Sequence, residues 1–324
     1  LFIGDVGRPD LAVKSDLTQA DLAGHLFDSL RNKIMTLPDD IIVYPNHGAG
    51  SACGKNMSSE TFDTLGNQKR TNYALRADMT KEEFINEVTT GLKAPPQYFP
   101  NNVRMNKTVN TSIDTILEQG MKVIDAASFK ELSEQKDYLV IDTRSKEAYT
   151  EEGTVPGAWY IGIDGGFAPW VGALISDINQ KILFITDDEA RAQEVVTRFS
   201  RVGYDNVQGY LAGGMNNWKA HGFPVDKVGS MSAQEFKTKL ENGEMQNPVD
   251  VRKTSEYQSH HVKGVSNFPL DHIHANFSEI KADESYYLHC ASGYRSLVAA
   301  SIFQANGVKD VYDVRGGFKA LQEA

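Results

Sequence analysis

YLHCASGYRS, residues 287–296, decides the fold. An apolar run ends in Cys290, a short turn containing Gly293 follows, and a helical pattern begins at once after it. A strand that passes through a tight turn into a helix is the unit of parallel α/β sheets. In such a turn the backbone N–H groups converge on one spot, and the helix N-terminus reinforces them. A cysteine at the strand end looks into that spot. The nest favours its thiolate, which lowers the thiol pKa and raises reactivity. Arg295 adds a positive charge at the far end of the loop, Ser292 and Ser296 add hydroxyl donors, and Gly293 permits the curvature. The opposing reading is that Cys290 is a small packed apolar side chain.

The unit occurs twice in the chain. YLVIDTRSKEAY (138–149) matches NPVDVRKTSEY (247–257), with Asp142 and Arg144 on Asp250 and Arg252, and Tyr149 on Tyr257. KILFITDDEARAQEVVTRFSRVGY (181–204) matches SYYLHCASGYRSLVAASIFQANGV (285–308) without a gap, so Arg191 falls on Arg295. NVQGYLAGGMNNW (206–218) echoes DVYDVRGGFKAL (310–321). Each copy reads strand, Asp-x-Arg, strand, turn, helix, strand, Gly-Gly, helix. Each opens with an amphipathic helix, at 124–135 and 231–240, the second with a Ser232/Glu235 capping box. Boundaries are expected near residues 119 and 229, giving units 1–119, 120–228 and 229–324. The Asp-x-Arg pairs read as structural salt bridges behind each loop.

With these echoes, residues 121–324 resemble the rhodanese family in two copies. The resemblance implies that Cys290 takes a sulfane sulfur, becomes a persulfide in the nest and passes the sulfur to an acceptor. Arg295 is then electrostatic support, and Ala291, Ser292, Gly293, Tyr294 and Ser296 form the cradle for a small anionic substrate. Cysteine-dependent phosphatases and arsenate reductases are the alternative, but their loops run Cys-x5-Arg, one residue longer than here. The first copy has Thr186 where Cys290 stands, followed by Asp187 and Asp188. Two carboxylates would repel an anion, so that copy reads as catalytically inactive.

Residues 1–119 differ. SDLTQADLAGHLFDSLRNKIMTL (15–37) predicts an amphipathic helix, and DDIIVYPNHGAGSACGKN (39–56) a buried strand followed by a Gly-rich turn. PPQYFPNNVRMN (95–106) reads as an ordered wrap leading to a linker. GDVGRPDL (4–11) together with YPNHGAGSACGK (44–55) resembles the metallo-β-lactamase superfamily in its glyoxalase II and persulfide dioxygenase branch. The resemblance implies metal ligation by Asp5 and His47, with Fe(II) or zinc as the metal. The His-x-His-x-Asp-His run of that family is absent, and two ligands hold a metal weakly. Cys53 reads as a packed side chain or as a thiol near the metal mouth. DHIH (271–274) reads as surface histidines, and Trp159, Trp170 and Trp218 as core or interface residues.

The expected fold class is therefore α/β: the C-terminal part of a metallo-β-lactamase αββα domain, then two rhodanese-like domains. The opening LFIGDVGRPDL reads as a strand already inside a domain, so an N-terminal part of a longer protein is expected. The expected function is sulfur transfer through Cys290, which needs no cofactor. In the parent protein it would be coupled to oxidation of a thiol persulfide to sulfite and to thiosulfate formation. A glyoxalase II-like thioester hydrolase carrying the rhodanese units, or a non-enzymatic persulfide sensor, are the alternatives. Expected partners are persulfides, thiosulfate or sulfite, and homo-oligomerisation is left open. A net charge of −10, from 33 basic and 43 acidic residues, argues against nucleic acid and anionic membranes. Two cysteines make no disulfide framework, and a reducing, cytoplasmic setting is expected.

Overall fold

A computed structural model of the chain describes residues 1–3, 8–9, 16–46, 59–90, 98–108 and 110–324. It forms two compact units, Leu1–Val103 and Arg104–Ala324. Asp5, His47 and Cys53 lie outside the described residues. No described helix is long and apolar enough to cross a membrane.

In the first unit, helix Gln19–Ser29 starts at a capping box between Thr18 and Asp21 and continues as a π-helical turn, Leu30–Ile34. It packs on helix Lys81–Thr89 through Ala23, Leu30, Phe84 and Val88. Strand Ile42–Pro45 runs parallel to Phe2–Ile3 and antiparallel to Asp63–Thr64. This strand was expected to be buried and is not: Ile42 is 43% and Tyr44 39% exposed. A sheet of three such short strands is too small to be covered on both faces. The expected wrap at 95–106 contains a helix, Phe99–Met105. Pro100 sits in its first turn, where a missing N–H costs nothing.

The second unit holds two all-parallel five-stranded sheets. One has the spatial order Val123–Ile124, Val207–Leu211, Lys181–Ile185, Tyr138–Asp142, Trp159–Tyr160. The other runs Gly229–Met231, Val311–Val314, Tyr286–His289, Asn247–Asp250, Ser266–Asn267. Numbered within each copy, the two orders are identical, so the sequence repeat is a repeat of topology. The unit begins at Arg104, ahead of the boundary expected near residue 119. The reason is helix Ile113–Gly120, which packs on helix Ala192–Ser200 and strand Val207–Leu211 of the first copy. Apolar positions close each sheet: Phe129, Leu183, Leu211 and Trp218 in the first copy, Met231, Phe236, Val314 and Leu321 in the second.

The two copies are joined along an edge. Trp159–Tyr160 is the outer strand of the first sheet, and helix Tyr294–Ala305 of the second copy lies against it. An uncovered strand edge leaves backbone N–H groups without partners. Here the Tyr160 N–H donates to Ser301 Oγ at 2.8 Å, and both residues are buried. His274 Nε2 lies 2.6 Å from the Leu174 carbonyl oxygen, so this expected surface histidine also touches the other copy. Replacing Ser301 by Ala strands the Tyr160 N–H and should destabilise the folded protein by about 1–3 kcal/mol. The thermal unfolding midpoint of the Ser301→Ala chain measures this, and an unchanged midpoint would remove the bond from the account of the interface.

Candidate active site

The site is built where three chain segments of the second copy meet. The first is the end of strand Tyr286–His289, which delivers Cys290. The second is the start of the 12-residue helix Tyr294–Ala305, whose N-cap is Gly293 at φ +101°. A Cβ at Gly293 would meet nothing within 4 Å, so glycine is required there by backbone conformation and not by space. The third is the Gly316-Gly317 turn, which opens helix Gly317–Glu323. At Gly317 both limits apply: φ is +58°, and a Cβ would lie 2.5 Å from the Cys290 carbonyl oxygen. Phe318 N–H donates to that carbonyl at 2.6 Å, and Lys319 N–H to the Ala291 carbonyl at 3.2 Å. In a planar trans peptide the following N–H points the opposite way. Tying these two carbonyls to the helix therefore turns the amides of Ala291 and Ser292 away from it.

Cys290 is 1% exposed. Two donors reach its sulfur: the Gly293 N–H at 3.1 Å and the Ser296 hydroxyl at 3.4 Å. Both favour an anionic sulfur, and both sit at the positive end of the helix that follows. Ser292 is exposed and Ala291 half-buried at the rim. Tyr294 faces elsewhere. Its hydroxyl donates to the Gly162 carbonyl of the first copy at 3.0 Å, and its ring meets Tyr160 at 5.9 Å between centroids. Burial pushes its phenol pKa well above the ordinary value. Its side chain therefore holds the copies together while its backbone starts the helix.

Arg295 does not present a bare charge to the loop. It forms a two-pronged pair with Glu256, Nη1 to Oε2 at 2.6 Å and Nη2 to Oε1 at 2.9 Å. The Arg295 hydrogen bonds hold the Glu256 carboxyl below the ordinary glutamate range, and burial opposes them. The sequence reading missed Glu256, although a signal exists. In the repeat alignment Glu256 stands opposite Ala148, so the copy that has the cysteine also has this acid.

Behind the loop, Asp250 pairs in register with His289, one residue before Cys290. Its carboxylate receives Arg252 Nη2 at 2.6 Å, and both residues are buried. The Arg252 guanidinium stacks on Phe318, 3.8 Å from its ring centre, and so joins the Asp-x-Arg bridge to the Gly-Gly turn. Asp142 and Arg144 repeat the buried bridge in the first copy at 2.8 Å. His289 is buried beside Asp250, and burial lowers its pKa, which favours the neutral ring.

The first copy keeps the frame and changes the contents. Thr186 occupies the cysteine position, and Gly214, at φ +56°, stands where Gly317 does, but a Cβ there would come only within 3.2 Å of the Thr186 carbonyl oxygen. Asp187 accepts the Ser145 N–H at 3.2 Å. Arg191, opposite Arg295, is taken up by Asp164 at 2.8 and 3.0 Å. Among the described residues, no group of three or more His, Cys, Asp or Glu is placed to hold a metal ion.

The rhodanese-like domain model matches residues 125–221 and 232–324. The chain is 31% identical over 90 residues to the uncharacterized protein YqhL of Bacillus subtilis (strain 168), covering 28% of this chain and 69% of that protein. It is 33% identical over 79 residues to the thiosulfate sulfurtransferase GlpE of Pseudoalteromonas translucida (strain TAC 125), covering 24% of this chain and 72% of that protein. Among solved structures, a metallo-beta-lactamase from Staphylococcus aureus subsp. aureus COL superposes with a TM-score of 0.51 at 30% identity. That match covers 65% of this chain, which spans 59% of the length of that structure.

The two acid–arginine pairs should differ sharply in worth. Asp250→Asn leaves the Arg252 guanidinium buried without its carboxylate and should cost about 3–5 kcal/mol. Glu256→Gln removes a pair whose side chains are 35% and 18% exposed, and should cost about 1 kcal/mol or less. Urea midpoints of the two variants would rank them. Because the folded-state Glu256 pKa is depressed, its contribution is present above the ordinary glutamate pKa. It is lost as pH falls through the lowered value. The gap between wild type and Glu256→Gln should accordingly close in acid.

Proposed function

The chain belongs to the rhodanese-like domain family, and from that premise we propose that it transfers sulfane sulfur through a persulfide on Cys290. The observation that carries this reading is the pair of donors on one buried sulfur, Gly293 N–H and Ser296 O–H. In the donor half-reaction the Cys290 thiolate attacks the outer sulfur of thiosulfate, or of a low-molecular-weight persulfide. A new S–S bond forms on Cys290, the old one breaks, and sulfite or a thiolate leaves with the electron pair. In the acceptor half-reaction a thiolate, sulfite or cyanide attacks the outer sulfur, and the Cys290 thiolate leaves. The chain's own groups do three things: Gly293 and Ser296 stabilise the sulfur anion, the helix dipole adds to them, and the tied carbonyls keep the loop in shape. Such thiol chemistry suits a reducing compartment such as the cytoplasm. The copy with Thr186 has no nucleophile, and its acid loop disfavours an anion.

Cys290→Ser should lower thiosulfate:cyanide transfer by on the order of a thousandfold or more, the usual scale for losing a nucleophile. Intact mass after incubation with thiosulfate alone should show one extra sulfur atom on the wild-type chain and none on the variant. Asp187→Ala should leave the rate unchanged. Full activity in Cys290→Ser would end this assignment.

Likeness to the metallo-beta-lactamase structure over 65% of the chain supports a further reading, for a chain that carries a whole metallo-β-lactamase domain. There a metal-dependent oxidation of thiol persulfide by dioxygen and water, releasing the thiol and sulfite, would feed the acceptor half-reaction at Cys290, and tethering would keep the sulfite close. Metal analysis of a chain carrying the whole metallo-β-lactamase domain separates the possibilities. One iron per chain fits the persulfide dioxygenase, and two zinc ions fit a thioester hydrolase.

A further inference from the structure

His289 stands one residue before the thiol and is fully buried. Its Nδ1 lies 3.4 Å from the Cys290 carbonyl oxygen and 3.9 Å from Asp250 Oδ1. A ring nitrogen set between two oxygens carries the hydrogen, so Nδ1–H donates. Burial favours the neutral ring, which leaves Nε2 with a bare lone pair. That atom is buried and has no hydrogen-bond partner among the described residues. Phe236 meets the ring edge-on at 6.0 Å between centroids, and Phe318 stacks on it at 6.2 Å. An unpaired polar atom in such an apolar slot costs stability. A leucine or isoleucine would fill the slot without that cost.

The repeat supplies an independent observation. Ile185 stands at this position in the first copy, equally buried, and is in register with Asp142 as His289 is with Asp250. The frame therefore does not need a histidine. The loop carbonyls differ in the same sense. The Cys290 carbonyl accepts Phe318 N–H at 2.6 Å as well as His289 Nδ1–H. Among the described residues, no backbone N–H reaches the Thr186 carbonyl. Both donors on the loop carbonyl thus occur in the copy that has the thiol and not in the other.

We propose that His289 is a positioning residue whose Nδ1–H, oriented by Asp250, polarises the Cys290–Ala291 peptide and strengthens the Ala291 N–H as a donor to an anion held at Cys290. This rests on the sulfur-transfer reading of the same cysteine. The carbonyl and the N–H that follows it belong to one planar peptide. Hydrogen bonds on the oxygen draw charge through that peptide and make its N–H a better donor, by about 10–30% for each bond. The Ala291 hydrogen points away from helix Gly317–Glu323 and, among the described residues, meets no backbone carbonyl. It is left for the negative charge that appears at the sulfur during transfer. The Asp250–Arg252 bridge then acts on the thiol loop by two routes, through Phe318 and through the tautomer of His289.

Two substitutions in the full chain test this. His289→Leu fills the slot without a donor, whereas His289→Asn keeps an N–H near the Nδ1 position and loses the ring. His289→Leu should unfold at or above the wild-type thermal midpoint yet lose about two- to tenfold in kcat/KM for thiosulfate, the scale of one hydrogen bond. His289→Asn should unfold at a lower midpoint yet keep most of the rate. A histidine needed only for the frame predicts the opposite ranking of the two rates, with activity following stability. The peptide itself gives a signal that does not depend on turnover. Cys–Ala occurs once in the sequence, so labelling cysteine at the carbonyl carbon and alanine at nitrogen marks the Cys290–Ala291 peptide alone. Both resonances should move upfield in His289→Leu and return toward the wild-type positions in His289→Asn. His289→Gln, whose amide reaches the Nε2 position instead, should behave like His289→Leu and takes its place if that variant does not fold. Equal rates in wild type and His289→Leu, or resonances that stay in place, would overturn the proposal. Resonances that move as expected, in a chain whose wild type transfers no sulfur, would reject the proposed function and leave the polarised peptide standing.

Discussion

The close approach of Gly317 to the Cys290 carbonyl is the constraint on which the site depends. A side chain at that point would sit 2.5 Å from the carbonyl oxygen and 2.9 Å from the Ser292 nitrogen, so only a bare backbone lets the turn lie there. Once it does, the first amides of helix Gly317–Glu323 take the carbonyls of Cys290 and Ala291. The loop can then wind directly into helix Tyr294–Ala305 with its next amide, that of Gly293, on the sulfur. Phe318 follows Gly317 and receives the Arg252 guanidinium on its face, which makes the Asp250–Arg252 bridge part of the same clamp. A change in any one of these elements reaches the thiol through backbone, not through side-chain contact with it.

The first copy shows that the clamp is a frame and not the chemistry. It has the same strand order, the same buried bridge and a glycine at the same place, with a Cβ at Gly214 coming 3.2 Å from the Thr186 carbonyl oxygen, yet it holds a threonine and two acids. Its structural role is visible at the helix that begins at the sulfur. Ser301 of that helix accepts the Tyr160 N–H, and Tyr294 gives its hydroxyl to Gly162. Gly165 is part of this fit, since a Cβ there would come 2.2 Å from the Tyr294 ring. Helix Tyr294–Ala305 is thus held on one side by its own sheet and on the other by the edge of the first copy's sheet. A strand edge that would invite unwanted pairing is covered by the same contact.

The parts of the site that recur along the chain were legible in the sequence. The strand–Cys–turn–helix order, the Asp-x-Arg pairs, the Gly-Gly turns and the Ser232/Glu235 cap each have a local signature, and the repeat doubled their weight. Contacts that depend on the fold were not legible. Glu256 reaches Arg295 across 39 residues, and Tyr294 reaches Gly162 across 132. No periodicity encodes such distances. The exposed strand Ile42–Pro45 failed for a related reason: IIVY has the composition of a buried strand, but burial depends on what the rest of the sheet supplies. Helix Phe99–Met105 was hidden by its own proline, which reads as a breaker inside a helix and as a starter in its first turn. The absent residues of the first copy carried a signal that pairwise alignment of the repeats could have used. Ala148, Thr186 and Ala192 differ from Glu256, Cys290 and Ser296, which are the acid on Arg295, the thiol and its hydroxyl donor.

The balance of charge around Cys290 suits what the proposed sulfur transfer asks of one atom. The thiolate must attack in the first half-reaction and leave in the second. A lower thiol pKa improves the leaving group but weakens the nucleophile, since nucleophilicity falls as the pKa falls. An unpaired guanidinium beside the sulfur would push far toward the leaving-group side. Glu256 removes much of that push by taking both prongs of Arg295. The remaining stabilisation comes from two neutral donors and a helix end, which act at short range and respond to where the sulfur charge sits. When the charge moves outward to the terminal sulfur of a persulfide, these donors lose part of their grip on Sγ. When the acceptor attacks, they regain it as the thiolate re-forms. In the proposed transfer, short-range neutral donors would therefore favour the returning thiolate over the persulfide by more than a distant charge would.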